Sequence, residues 1–204
     1  SFMMTMPEQT GIRIGILQLM LGLVYLAVAS CAQAATISKD DQYPFYNPSL
    51  VNYVASKGTF PVVVVANPFG TAKDDAFLAN LSLPGYYPPT PFTATTARTR
   101  DDGHLVLIFA PITAANGHDA CRSPISQTNA GPGKHGQANN GQTLRLQAAF
   151  CYDRDVVSEA FMEMPEPRNM DDQAFAMAMD QLLDVLLPNQ SPHIGACGVN
   201  GTQC

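Results

Sequence analysis

Residues Ile14 to Ala29 form an apolar run, IGILQLMLGLVYLAVA, broken only by Gln18 and followed by Ser30 and Cys31. With Arg13 ahead of it and small residues behind it, the run has the layout of an export segment. It divides the sequence into a leader, residues 1–35, and a remainder expected to fold outside the cytoplasm. Everything else in the chain is read against that address.

The end of the run, Val28-Ala29-Ser30-Cys31, resembles the lipobox of bacterial lipoprotein precursors. That resemblance implies a diacylated Cys31 and cleavage just before it, with Ala32 pointing to the outer membrane. Two other fates compete. Ala32-Gln33-Ala34 suits an ordinary signal-peptidase cut before Ala35. The run is also within reach of the roughly 20 residues that span a bilayer when counted on through Ala35, so a retained signal anchor stays open.

Cysteine usage agrees with export. Setting Cys31 aside leaves Cys121, Cys151, Cys197 and Cys204, an even number with three pairings. We favour Cys121–Cys151, which would pin a long polar loop to a strand, and Cys197–Cys204, which would close a ring in a Gly-rich tail. No CxxC occurs, so a thioredoxin-like role lacks support. Net charge is −6, with no basic cluster, which disfavours nucleic acid and anionic lipid as partners.

Punctuation along the chain predicts one domain over 47–188, after a tether at 36–46 and before a disulfide-containing tail at 189–204. Asn47, Pro48 and Gly58 bracket a helix. Phe60 to Ala66 holds four consecutive valines and reads as a strand buried on both faces. Thr71 opens a second helix, and Pro84-Gly85 ends it. Phe92 to Arg98 and His104 to Ala110 read as a hairpin around Asp101-Asp102-Gly103, although 61–98 also fits a crossover between parallel strands. Residues 111–142 read as a polar excursion. Leu144 to Tyr152 and Val156 to Met164 form a second hairpin. The longest helix opens at Asn169 or Asp171 and ends at Pro188, with Phe175, Met179, Leu182 and Leu186 as its core stripe. The order implies an α+β fold, a mostly antiparallel sheet of about five strands with helices on one face.

Chemical motifs are weak. Gly131 to Gly136 matches GxGxxG by letters but follows no strand. His118, Asp119, Cys121 and His135 share a loop in no zinc spacing. His104 reads as a surface histidine. The acid pairs Asp74-Asp75 and Asp171-Asp172 suit helix first turns. GxSxG, SxxK, HExxH and the Walker loop are all missing. We therefore expect no catalytic residue, no metal and no cofactor. The methionines Met162, Met164, Met170, Met177 and Met179 suit core filling.

Six aromatics, Tyr43, Phe45, Tyr46, Tyr53, Tyr86 and Tyr87, fall near the tether and a Pro-rich loop. They are the candidate interface; the competing use is to close the core beneath the first helix. Residues 48–187 also resemble small uncharacterised envelope lipoproteins of alphaproteobacteria, through Pro61 to Gly70, Leu105 to Pro111, Cys121 and Ala149-Phe150-Cys151. That resemblance implies no activity. The expected function is a non-enzymatic, membrane-tethered, periplasm-facing module that binds or supports another envelope or membrane protein. The alternatives are an accessory subunit of a membrane complex that keeps residues 11–35 as a transmembrane helix, and an exported hydrolase.

Overall fold

Four adjacent valines cannot alternate between core and water, so their strand needs cover on both sides. In the computed structural model that strand lies second from one edge of a six-stranded sheet, with Val62 and Val65 buried and Val63 and Val64 half-buried. The structure describes residues 35–96, 103–112, 116–124 and 143–191. All of them belong to the compact unit Ala34–Cys204. In chain order the elements are β1 (Thr36–Gln42), α1 (Pro48–Ala55), β2 (Phe60–Val65), α2 (Asp74–Leu78) and β3 (Phe92–Ala94), then β4 (Gly103–Phe109), α3 (Gly117–Arg122), β5 (Thr143–Tyr152), β6 (Asp155–Pro165) and α4 (Gln173–Leu186).

The sheet order is β1-β6-β5-β4-β2-β3. β1, β6, β5 and β4 pair antiparallel, whereas β2 pairs parallel with both β4 and β3. The fold is therefore α+β with a mixed sheet, not a mostly antiparallel one of five strands. The expected hairpin of 92–98 with 104–110 is absent. β3 lies instead on the far side of β2, with Phe92 opposite Phe60 and their rings edge-on at 5.7 Å. The crossover alternative for 61–98 describes this parallel β2–β3 pair. The sixth strand comes from the segment read as a tether: Thr36–Gln42 runs along β6 as β1.

Register separates the two sheet faces. Leu105, Leu107 and Phe109 stand opposite Phe150, Ala148 and Leu146, and those in turn face Ser158, Ala160 and Met162. This face carries the main core. Phe77 of α2 meets Phe109 at 5.7 Å, Phe175 of α4 meets Phe77 at 6.0 Å, and Phe60 meets Phe150 at 6.0 Å. α1 adds the buried Val51, Val54 and Ala55.

The other face holds His104, Val106, Gln147, Ala149, Cys151 and Glu159. Against it lies α3, inside the stretch read as a polar excursion, so the helices do not share one face. α3 is too short to persist by its own hydrogen bonds. It is stapled by the Cys121–Cys151 disulfide, and Arg122 reaches Asp155 at 3.6 Å. The second expected disulfide, Cys197–Cys204, lies outside the described residues, as do Cys31, the leader and Gly131 to Gly136.

Caps follow local chemistry. Asn47 accepts from the Ser49 amide at 2.9 Å, and Pro48 opens α1. Gly58, at φ 89°, takes the left-handed turn after the helix. α4 starts later than expected, because Asn169 is spent on a turn, accepting from the Asp171 amide at 2.9 Å. Asp172 then caps the helix, accepting from the Ala174 amide at 2.9 Å.

The disulfide closes a loop with a sequence separation of 30. Replacing Cys121 and Cys151 together by Ala is expected to cost about 3 kcal/mol. The difference in unfolding free energy extrapolated to water measures it, with the urea slope rising because the unfolded chain is no longer cross-linked.

Candidate functional site

An α-helix leaves its last four carbonyls without partners in the helix. α4 runs directly into Leu187-Pro188 and has no glycine with which to turn those carbonyls away. Side chains from four other segments of the chain supply donors to these carbonyls and to those of Leu187 and Pro188. Gln42 Nε2 gives to the Val185 carbonyl at 3.0 Å, and Ser158 Oγ gives to Leu186 at 2.6 Å. Tyr86 Oη gives to Leu187 at 2.9 Å, with Asp184 at 3.3 Å. Tyr46 and Tyr87 hydroxyls both reach the Pro188 carbonyl, at 2.6 and 2.9 Å. Each hydroxyl has one proton, and both are directed at Pro188. The 3.3 Å contact between the two hydroxyl oxygens therefore adds little.

This arrangement sorts the six candidate aromatics. Tyr46 and Tyr87 are buried, so they close the core rather than offer a contact surface. Tyr43 is half-buried, and its hydroxyl gives to Glu159 Oε1 at 2.7 Å. Three remain open to solvent: Phe45 at 58 % exposure, Tyr53 at 49 % and Tyr86 at 44 %. Phe45 adjoins the anchored Tyr46, and the Tyr86 and Tyr87 rings meet edge-on at 4.9 Å. Tyr53 stands on the outer side of α1, with Lys57 Nζ over its ring at 4.6 Å. The Pro-rich loop is held to α1 by Thr90, whose hydroxyl lies 3.4 Å from the Ala55 carbonyl.

The second polar cluster centres on Glu159, which is 2 % exposed. A buried carboxylate is costly unless every oxygen finds a donor. Oε1 takes the Tyr43 hydroxyl and lies 3.9 Å from Lys39 Nζ; Oε2 takes the Gly117 amide at 2.6 Å. Lys39 reaches the site because β1 bulges between Ser38 and Asp41, with Lys39 at φ 52°. Gly117 is required by space. A Cβ there would come within 2.5 Å of a Val156 methyl and 2.9 Å of Glu159 Oε2. His118 packs edge-on against Tyr43 at 5.5 Å. Glu159 thus seats the start of α3, and the disulfide fixes its last turn.

His104 is buried opposite Cys151, not on the surface, because its side of β4 is the covered second face. Among the described residues, no group of three or more His, Cys, Asp or Glu is placed to hold a metal. Asp74 opens α2 and accepts from Asn67 Nδ2 at 2.7 Å. Met162, Met164 and Met179 fill the core, while Met177 is open to solvent.

Sequence reasoning missed two residues here. Glu159 sits within an apolar strand, and only its charge between Ser158 and Ala160 marked it. Gln147 is buried between the positions of Ile108 and Phe161 on the neighbouring strands. Neither its amide oxygen nor its amide nitrogen has a partner.

The fold and this site define a disulfide-stapled α+β domain in which Phe45, Tyr53 and Tyr86 stay open to solvent, Phe45 and Tyr86 each next in sequence to a tyrosine bound to Pro188 just past the longest helix. No protein-family model matches the chain, and neither a curated protein nor a solved structure is found to be similar to it.

Burial raises the pKa of all four hydroxyl-bonded tyrosines, Tyr86 to about 12. A raised folded-state pKa favours the protonated form. The stability these groups contribute is complete below about pH 10, the unfolded-chain value, and falls as pH climbs towards and through the folded-state values. Urea midpoints are expected to hold to about pH 9 and then drop, with phenolate absorbance appearing together with unfolding. Separately, Gln147→Met removes an unsatisfied buried amide and is expected to raise stability by roughly 1 kcal/mol, read as a higher urea midpoint.

Proposed function

We propose that this chain is a membrane-tethered envelope module that holds another protein through the aromatic surface of Phe45, Tyr53 and Tyr86. The anchor is the leader, with Cys31 as the lipidated residue. The domain faces the periplasm, and a structural disulfide suits that oxidising compartment. The observation that carries the proposal is the pairing of exposed rings with fixed neighbours. Tyr46 and Tyr87 are locked on Pro188, so Phe45 and Tyr86 project from a backbone that has already lost its freedom. Large rings held open in this way bind with little further loss of entropy, which is how aromatic anchors contribute at interface centres.

The clustered polar groups have structural uses that support a binding role over a chemical one. Both oxygens of Glu159 are taken up, one by the Tyr43 hydroxyl and one by the first amide of α3, and the hydroxyls of Tyr46, Tyr86 and Tyr87 are taken up by the Leu187 and Pro188 carbonyls that follow α4. In this reading the partner is another envelope or membrane protein that meets an apolar, ring-rich surface.

The test is co-purification from native membranes in gentle detergent. The double variant Phe45→Ser, Tyr53→Ser removes two rings that make no core contact and leaves the Tyr86 bond intact. It is expected to keep its disulfide and its urea midpoint and to lose at least about tenfold in co-purified partner, the loss of ~1.4 kcal/mol. A parent protein that elutes as a clean monomer would refute the proposal.

A further inference from the structure

The sheet has two ends, and the tether enters at only one of them. Register places Thr36 of β1 beside Glu163 of β6, Thr143 of β5 beside Pro165, Phe109 of β4 beside Leu146, and Val65 of β2 beside Ile108. The first residue of β1 therefore shares an end with the last residues of β6, β4 and β2. α4 also begins there, since Phe175 packs on Phe69 at 5.5 Å just beyond β2. The aromatic surface lies at the opposite end, past Gln42, where α4 finishes.

Two large apolar side chains are open to solvent in the segments at the tether-side end. Ile112, just after β4, is 53 % exposed, and Met177, in the first half of α4, is 56 % exposed. Phe69, just after β2, and Met170, shortly before α4, are half-buried against the core. These residues complete no part of the site described above.

We propose that this end of the domain rests on the phospholipid bilayer, with Ile112 and Met177 entering the interface between headgroups and acyl chains. The inference depends on the anchoring of Cys31 proposed above. Only Ala32 to Ala35 separate Cys31 from Thr36. Five chain steps span at most about 18 Å. Thr36 therefore stays within that distance of an acylated sulfur, whereas β1, at about 3.3 Å per residue, carries Gln42 roughly 20 Å further along the sheet. A tether this short selects which end of the domain can meet lipid, and that end holds the exposed Ile112 and Met177.

Charge fixes the mode of contact. Among the described residues, the exposed charged groups in the segments at this end are Lys73, Arg145 and Arg168 against Asp75, Glu163, Glu166 and Asp171, with no cationic surplus. Attraction to anionic headgroups is therefore not the driving force. Burial of Ile112 and Met177 is, and the contact should be indifferent to salt and to anionic lipid content. The same geometry turns Phe45 and Tyr86 away from the bilayer, towards a partner in the periplasm.

The chain contains no tryptophan, so a single introduced one is an unambiguous reporter. Full-length protein is purified from native membranes, its acylated N-terminus confirmed by intact mass, and reconstituted into phosphatidylcholine vesicles with brominated acyl chains. Ile112→Trp and Met177→Trp proteins are expected to lose emission to bromine at low and high salt alike, and the Phe45→Trp protein to keep it. Quenching of Phe45→Trp, or of none of the three while the protein still floats with the vesicles, overturns this orientation and leaves the anchor standing. A protein whose mass shows no acyl group and which fails to float overturns the anchored reading, and this inference with it.

Discussion

The last carbonyls of α4 are the constraint on which much of the fold depends. They have no partners within the helix, and no glycine is present to redirect them. They must therefore be met by donors, and those donors arrive from segments far apart in sequence: Gln42 from β1, Tyr46 at the start of α1, Tyr86 and Tyr87 from the Pro-rich loop, and Ser158 from β6. Each bond is modest alone. Their shared effect is to hold the sheet edge, the first helix and the loop around one helix terminus. An otherwise irregular, proline-rich connection is thereby given a single shape.

The two sheet faces solve burial differently. The α1, α2 and α4 face is an ordinary apolar core, with Phe60 against Phe150 in one ring cluster and Phe77 against Phe109 and Phe175 in another. The α3 face is more polar and is held by specific attachments. A six-residue helix cannot cover a sheet through packing alone, so its last turn is joined covalently through Cys121 and its first amide is bound to a buried carboxylate. Gln147 is the one buried side chain among the described residues with both polar atoms unsatisfied.

Function follows from what this scaffolding leaves over. Hydroxyls and carboxylates in the two clusters are consumed by the backbone, while rings and two aliphatic side chains stay open at opposite ends of the sheet. Under the proposed anchoring of Cys31, a short spacer at one end of the sheet and exposed rings at the other would hold a partner at a set height above the membrane.

Much of the local structure was legible in the sequence. The valine strand, the second hairpin, the Asn47 cap, the α4 stripe and the Cys121–Cys151 pairing all follow from side-chain periodicity, cap chemistry and parity. Their causes are local, or in the disulfide's case arithmetical. Strand neighbours were not legible. Phe92 to Ala94 looks like the partner of the strand that follows it, and only the packing of Phe92 on Phe60 moves it to the other side of β2. Thr36 to Gln42 is too polar to announce a strand, because one edge and one face of β1 stay wet. The six aromatics look alike as a group; tertiary contacts sorted them, Tyr46 and Tyr87 being buried on the Pro188 carbonyl and Tyr43 half-buried on Glu159 while Phe45, Tyr53 and Tyr86 stay exposed. Sequence determines what each segment prefers by itself, while tertiary structure decided which hydroxyls, carbonyls and sheet edges met, because those pairings depend on distances that no local preference encodes.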